Sequence, residues 1–189
     1  MENYKKNLEL LTKNYVYSKE MEHDACGVGL IASTEGKKSR AIIEYGIEAL
    51  KAVWHRGAVD ADGKTGDGAG IHVEIPKDFF IEKIQVTGHD YDNSEICVGM
   101  IFLPRNDYSA QENCKTIVES ELTKNNFSIY GWRQVPVNPK VLGEKALQTM
   151  PEIIQVLFKS NDPNLIDKNL ERKIYETRKR IENKAFDAS

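Results

Sequence analysis

The 189-residue sequence has only three cysteines, Cys26, Cys97 and Cys114, and no two of them form a C-x-x-C pair. An odd, widely spaced set argues against a disulfide framework and against a structural zinc site. No stretch approaches the roughly 18 consecutive apolar residues that a membrane-spanning helix needs. Basic residues are not in excess: 26 Lys and Arg stand against 29 Asp and Glu, a formal net charge of −3. Duplex nucleic acid is therefore an unsuitable partner, because clustered cations must replace its condensed counterions. The four histidines, at 23, 55, 72 and 89, have no HExxH spacing and no partnering cysteine pair, so a metal site has little support. Charges run through the first 25 residues, which fits neither a signal peptide nor a transit peptide and places the chain in the cytoplasm. Repeats and low-complexity tracts are absent. What is present, 40% hydrophobic and 29% charged residues, suits a soluble chain able to form a core without disulfides.

Residues 1–25 read as a leader. From Cys26 to Ala32 the run CGVGLIA reads as a buried strand that begins abruptly at a cysteine. Ile43, Ile47, Leu50 and Trp54 recur at helical spacing within a predicted helix from about Lys38 to Trp54, whose apolar face should pack on that strand. The glycine-rich HRGAVDADGKTGDGAG is a loop. Ile71, Val73 and Ile75 alternate with His72 and Glu74 as a half-buried strand does, with Pro76 ending it. Further strands are predicted at ICVGMIFLP, FSIYGWRQVPV and EIIQVLF. Helices are predicted at Tyr108–Lys124, at about Leu142–Met150, and along Ile166, Leu170, Ile174 and Ile181. Such a mixture suits a layered α+β protein. The last helix is followed at once by KAFDAS, so its apolar stripe must find a sheet among strands already made, as it would in a truncated domain.

Two nucleotide-binding patterns can be set aside. Gly57 to Gly63-Lys64-Thr65 approximates a phosphate loop, but five residues separate the glycines where four are needed, and a helix rather than a strand precedes them. Gly27, Gly29 and Ala32 fit a loose dinucleotide pattern inside a predicted strand, with no helix beginning there. Cys97 lies in an apolar strand and Cys114 on an apolar helical face, where free cysteine serves as a small hydrophobe. Cys26 leaves two readings open. It is a buried strand cysteine after a frayed tail, or cleavage after Ala25 exposes it as an N-terminal nucleophile. In the second case its own α-amine, with an unperturbed pKa of roughly 7.7–8.0, acts as base.

The order CGVGLIA, helix, WHRGAVDADGKTGDGAG, VGMIFLP, GWRQVPV and ERKIYETRKRIE resembles the amino-terminal glutaminase domain of glutamate synthase large subunits, from Cys26 to the end. These are class II glutamine amidotransferases. The resemblance implies an α+β N-terminal nucleophile hydrolase fold, an αββα sandwich of two facing antiparallel sheets, here incomplete, and removal of residues 1–25 as a propeptide. It implies that Cys26 attacks the side-chain amide of L-glutamine, releasing ammonia and leaving a thioester that water hydrolyses to glutamate. Arg56 of the HRG segment is expected beside the nucleophile, its planar fork suited to positioning, although an ordinary loop ion pair is the alternative. Gly27, Asp67 and Gly68 are expected to shape the glutamine pocket.

No cofactor is expected in this segment. FMN, an iron–sulfur cluster and NAD(P)H or ferredoxin are implied for the full protein. Its remaining synthase domains are the implied partners, with a small reductase subunit or ferredoxin supplying electrons. The Arg-Phe-Ser-Thr and His-Asn-Gly-Glu segments of the family, which hold the glutamine carboxylate and supply the oxyanion hole, do not occur in this sequence. The chain alone is therefore expected to be inactive. The alternatives are a non-catalytic remnant or interaction module, or the glutaminase part of another class II amidotransferase, against which the ADGKTGDGAG block speaks.

Overall fold

The computed structural model describes residues 6, 9–10, 12–13, 27–54 and 57–188. The chain divides into two compact units, Met1–Gly57 and Ala58–Ser189.

In the first unit, residues 27–33 form no strand, and Val28 and Leu30 are 95% and 88% exposed. The strand expected at 26–32 is thus absent among the described residues. Apolar sequence favours extended backbone, but a strand also needs a neighbour's N–H and C=O groups, and residues 27–32 pair with none. Helix α1, Arg40–Ala52, forms where its 3.6-residue periodicity predicts. With no strand to cover, it buries no residue, and Trp54 beyond its end is 78% exposed.

The second unit contains the sheet. Its regular elements run α2 (Lys77–Val86), β1 (Cys97–Leu103), α3 (Tyr108–Lys124), β2 (Phe127–Gln134), α4 (Glu144–Thr149), β3 (Glu152–Ser160) and α5 (Asp167–Asp187), with a short 3-10 turn at Pro139–Val141. The strand order is β1-β3-β2, antiparallel throughout. Alternating residues give each face its own core. Val156 and Phe158 of β3 join Cys97, Phe127 and the helical Val118, Leu122 and Leu170, so α3 and α5 cover one face. Leu157 points the other way and meets Tyr130 with Phe80 and Ile84 of α2. The result is a mixed α+β unit with helices on both sides of a small antiparallel sheet. Among the described residues there is one such sheet, not two. Residues 71–75, expected as a strand, are exposed and join no sheet among the described residues, for the same reason as 27–32.

Helix α2 lies where no helix was expected. Its signals are modest: Asp78 in the first turn, Phe80 and Ile84 four residues apart, and Gly88 at φ 82° just past the end. Helix α3 is capped by Asp107, whose side chain accepts from the Ala110 N–H at 2.9 Å. It is tied to α5 through the buried Glu121, which pairs with Lys124 and Lys184.

Strand β2 is interrupted by a bulge between Ile129 and Gly131, where the pairing register steps. Gly131 adopts φ 148°, and a Cβ there would lie 2.7 Å from Cγ2 of Thr87. Thr87 sits at the end of α2 with Oγ1 2.7 Å from the carbonyl oxygen of Tyr130, so the bulge is the point where α2 docks. It also reverses the alternation of β2, which returns Trp132 to the α3 face. There the indole N–H donates to Glu119 at 2.7 Å.

Leu157, fully buried at 0% exposure, sits at the centre of the α2 face. Leu157→Ala is expected to cost about 2–5 kcal/mol, because the cavity lies between strand and helix and collapses only partly. Urea unfolding measures this directly. A loss under about 1 kcal/mol would mean that α2 is not packed there.

Candidate active site

Cys26 and Arg56 lie outside the described residues, as does His55. Of the remaining candidates, Gly27 belongs to the first unit, in exposed backbone outside any helix or strand, with open space where a Cβ would stand. Asp67 and Gly68 belong to the second unit and are adjacent on the returning arm of the glycine-rich loop.

That loop is an ordered miniature hairpin. Val59 and Gly66 form an isolated antiparallel bridge, and the Asp60 N–H donates to the Thr65 carbonyl at 2.7 Å. Asp67 closes the base from both ends of its residue. Its carboxylate accepts from the Ala58 N–H at 2.8 Å, and its own N–H donates to the Ala58 carbonyl at 3.2 Å. Asp67 thus spends one carboxylate oxygen on holding the chain two residues after Arg56. Gly66 is required by this closure, since a Cβ would lie 2.6 Å from the Ala58 carbonyl oxygen. At Gly68 no such crowding exists, so its backbone is open to an approaching ligand.

The tip is organised by Asp62. Its carboxylate accepts from the N–H groups of Lys64 (2.9 Å) and Thr65 (2.7 Å) and from the Thr65 hydroxyl (2.6 Å), an Asx turn closed three times. These bonds, led by the Thr65 hydroxyl, hold the carboxyl well below the usual carboxylate range. The tip is docked onto α4 through the Asp60–Lys145 ion pair (2.6 Å), and it lies close against Gly143 at the start of that helix. Since the folded pKa is depressed, the turn is fully favoured above the ordinary carboxylate pKa and loosens only as pH falls toward the lowered value. Asp62→Ala is expected to speed amide exchange and proteolysis within 60–67 at neutral pH while leaving the sheet's exchange unchanged. Unaltered protection in the loop would contradict the assignment of Asp62 as its organiser. Sequence reasoning missed Asp62, Thr65 and Lys145. The Asp-x-x-Thr spacing was a legible turn signal, whereas the contact with α4 had none.

Lys64 and Thr65 lie in a hairpin turn with no helix beginning after them, so the phosphate-loop resemblance fails in structure as it does in spacing. Cys97 is buried, and burial, reinforced by Glu95 and Glu171, pushes its thiol up to about 12, leaving it protonated and inert. Cys114 is half-buried on α3 rather than fully covered. The two cysteines sit on different elements, and no group of three or more His, Cys, Asp or Glu able to hold a metal occurs among the described residues. An iron–sulfur cluster does not fit this donor set. A cleft of about 510 Å³ opens between the sheet and α3, with Arg105, Tyr108, Lys115, Trp132 and Glu152 among its lining, and neither Asp67 nor Gly68 borders it.

Comparison with known proteins shows the family. A family model described as "Glutamine amidotransferases class-II" matches residues 26–189, beginning at the candidate nucleophile itself. This chain belongs to the class II glutamine amidotransferases. The amidotransferase segment is 52% identical to the glutamate synthase [NADPH] large chain of Azospirillum brasilense, over 95% of this chain and 12% of that protein. It is 38% identical to the ferredoxin-dependent glutamate synthase of Pyropia yezoensis, over 92% of this chain and 11% of that one. With the chloroplastic ferredoxin-dependent enzyme of Spinacia oleracea it shares 39% over 87% of this chain and 10% of the relative. The chain therefore spans about a tenth of the length of these relatives.

Proposed function

We propose that this chain supplies the nucleophile half of a glutaminase that feeds ammonia to glutamate synthesis. The observation that carries the reading is the family match starting at Cys26, the one cysteine with a polar leader before it and small residues after it. Removal of residues 1–25 frees an α-amine at Cys26, which takes the thiol proton. Sulfur then attacks the δ-carbon of glutamine. The amide nitrogen leaves as ammonia carrying that proton, and water attacks the γ-glutamyl thioester to release glutamate. In this reading Asp67 has a positioning role, since its carboxylate holds the backbone of Ala58, two residues after Arg56 in the sequence. Arg56 orients glutamine or the nucleophile through its fork, and Gly27 and Gly68 leave room for the substrate.

The exposed apolar segments 27–32 and 71–75 are strands in waiting for the second sheet of an αββα sandwich, completed where further strands are supplied. Amination of 2-oxoglutarate, FMN, the iron–sulfur cluster and electrons from NAD(P)H or ferredoxin belong to the remaining domains and partners of a complete synthase. The cytoplasm is the compartment this reading favours. Among the described residues no helix is long and apolar enough to cross a membrane.

Ammonia release from L-glutamine tests the reading. Without Arg-Phe-Ser-Thr and His-Asn-Gly-Glu segments there is no carboxylate clamp and no oxyanion hole, and loss of one oxyanion donor alone costs about 10²–10³ in kcat. The 189-residue chain alone is expected to release no ammonia above background, while a chain extended with those segments is expected to do so. Turnover by the short chain would refute the assignment of half a site to it.

A further inference from the structure

Strand β1 is an edge strand, with β3 as its sole ladder neighbour among the described residues. Natural edges are guarded by charge, proline, bulges or short length. The other edge, β2, is guarded: it carries the bulge at Ile129–Gly131 and Arg133. Strand β1 has none of these devices. Its seven residues, CVGMIFL, are uncharged and pair with β3 without a register step. Val98, Met100 and Phe102 share one face. Val98 packs near the α2 core, but Met100 and Phe102 beyond it are 48% and 63% exposed.

We propose that β1 is a self-pairing edge that binds a second copy of this chain. The strands run antiparallel about a two-fold axis at Met100 and form a six-stranded sheet in the order β2-β3-β1-β1-β3-β2. The sequence is self-complementary in that register. Met100 faces its counterpart, Val98 faces Phe102, and the apolar side chains exposed in one copy cover those of the other. The flanks match in charge: Glu95 of one copy stands opposite Arg105 of the other, twice by symmetry, and both residues are exposed. Shifting the register by one residue would lose these pairings. The bulged β2 edges at the two ends stop further growth, so the assembly closes as a dimer.

Sedimentation of the 189-residue chain over a range of concentrations tests this. A monomer–dimer equilibrium is expected. Glu95→Arg and Arg105→Glu should each weaken it roughly tenfold, since each sets like charges opposite one another at two places. The double reversal should restore it. Met100→Lys on the exposed face should give a monomer with the original circular dichroism spectrum and urea midpoint, which separates loss of pairing from loss of fold. A native chain that stays monomeric, open-ended association without a defined stoichiometry, or a dimer whose strength is the same in all four variants would each overturn the proposal.

Discussion

Cys26→Ala in a chain extended to the full length of its relatives is expected to abolish glutamine-dependent glutamate formation, by on the order of a thousandfold or more, while synthesis from free ammonia persists. The asymmetry follows from the division of labour. The cysteine sulfur forms the only covalent bond to glutamine in the proposed route, so without it neither the thioester nor the ammonia is made. Free ammonia enters after that step and needs nothing from Cys26. Steady-state rates with glutamine and with ammonium salts, measured on the same preparation, decide between this and a merely structural cysteine. A structural role would depress both rates together, or neither. Cys97→Ala is the natural control. That thiol is buried and pushed up to about 12, so its loss should leave the ratio of the two rates unchanged whatever it does to stability.

The second large effect concerns the leader. If the nitrogen of Cys26 remains in a peptide bond to Ala25, it is an amide with no basic lone pair, and the proton acceptor of the proposed mechanism is missing. A positioned general base contributes typically 10²–10⁴-fold, so a mature protein that keeps residues 1–25 should lose about that much glutaminase activity. Intact mass and N-terminal sequencing establish which form is present. A version in which only an initiator methionine precedes Cys26, and is removed, should be active without any leader. Full glutaminase activity in a protein still joined at Ala25–Cys26 would sink the α-amine as base.

Periodicity located much of the second unit. The α3 bounds follow Ala110, Cys114, Ile117 and Val118, and the three strands fall on ICVGMIFLP, FSIYGWRQVPV and EIIQVLF, because a helix or strand between two buried faces is written in its own alternation. Where pairing partners decide, the reading failed. CGVGLIA and IHVEI have strand composition, but residues 27–32 and 71–75 gain no ladder among the described residues, so their apolar side chains stay exposed. Helix α2 failed for the opposite reason. Phe79, Phe80 and Ile81 are consecutive, which blurs the 3.6-residue period, and burial of Phe80 and Ile84 against Leu157 and Tyr130 is a tertiary fact.

The site was legible unevenly. Cys26 and the HRG segment stood out by motif, and Asp67 by its place in the glycine-rich block. What that carboxylate does, closing a hairpin on Ala58, depends on a bond across nine residues of loop. The anchoring of Asp60 by Lys145 spans 85 residues, and no local pattern announces it. In this loop the glycines mark space, and the aspartates supply the order.

The central claim is that Cys26 is the nucleophile, and covalent trapping tests it most directly. The extended protein is mixed with L-glutamine, quenched in acid within one turnover, digested and analysed by peptide mass. The account predicts a γ-glutamyl group on a peptide that begins at Cys26, with that adduct lost in Cys26→Ala. A glutamyl adduct on another residue, or ammonia release with Cys26 unmodified and still joined to Ala25, would contradict it.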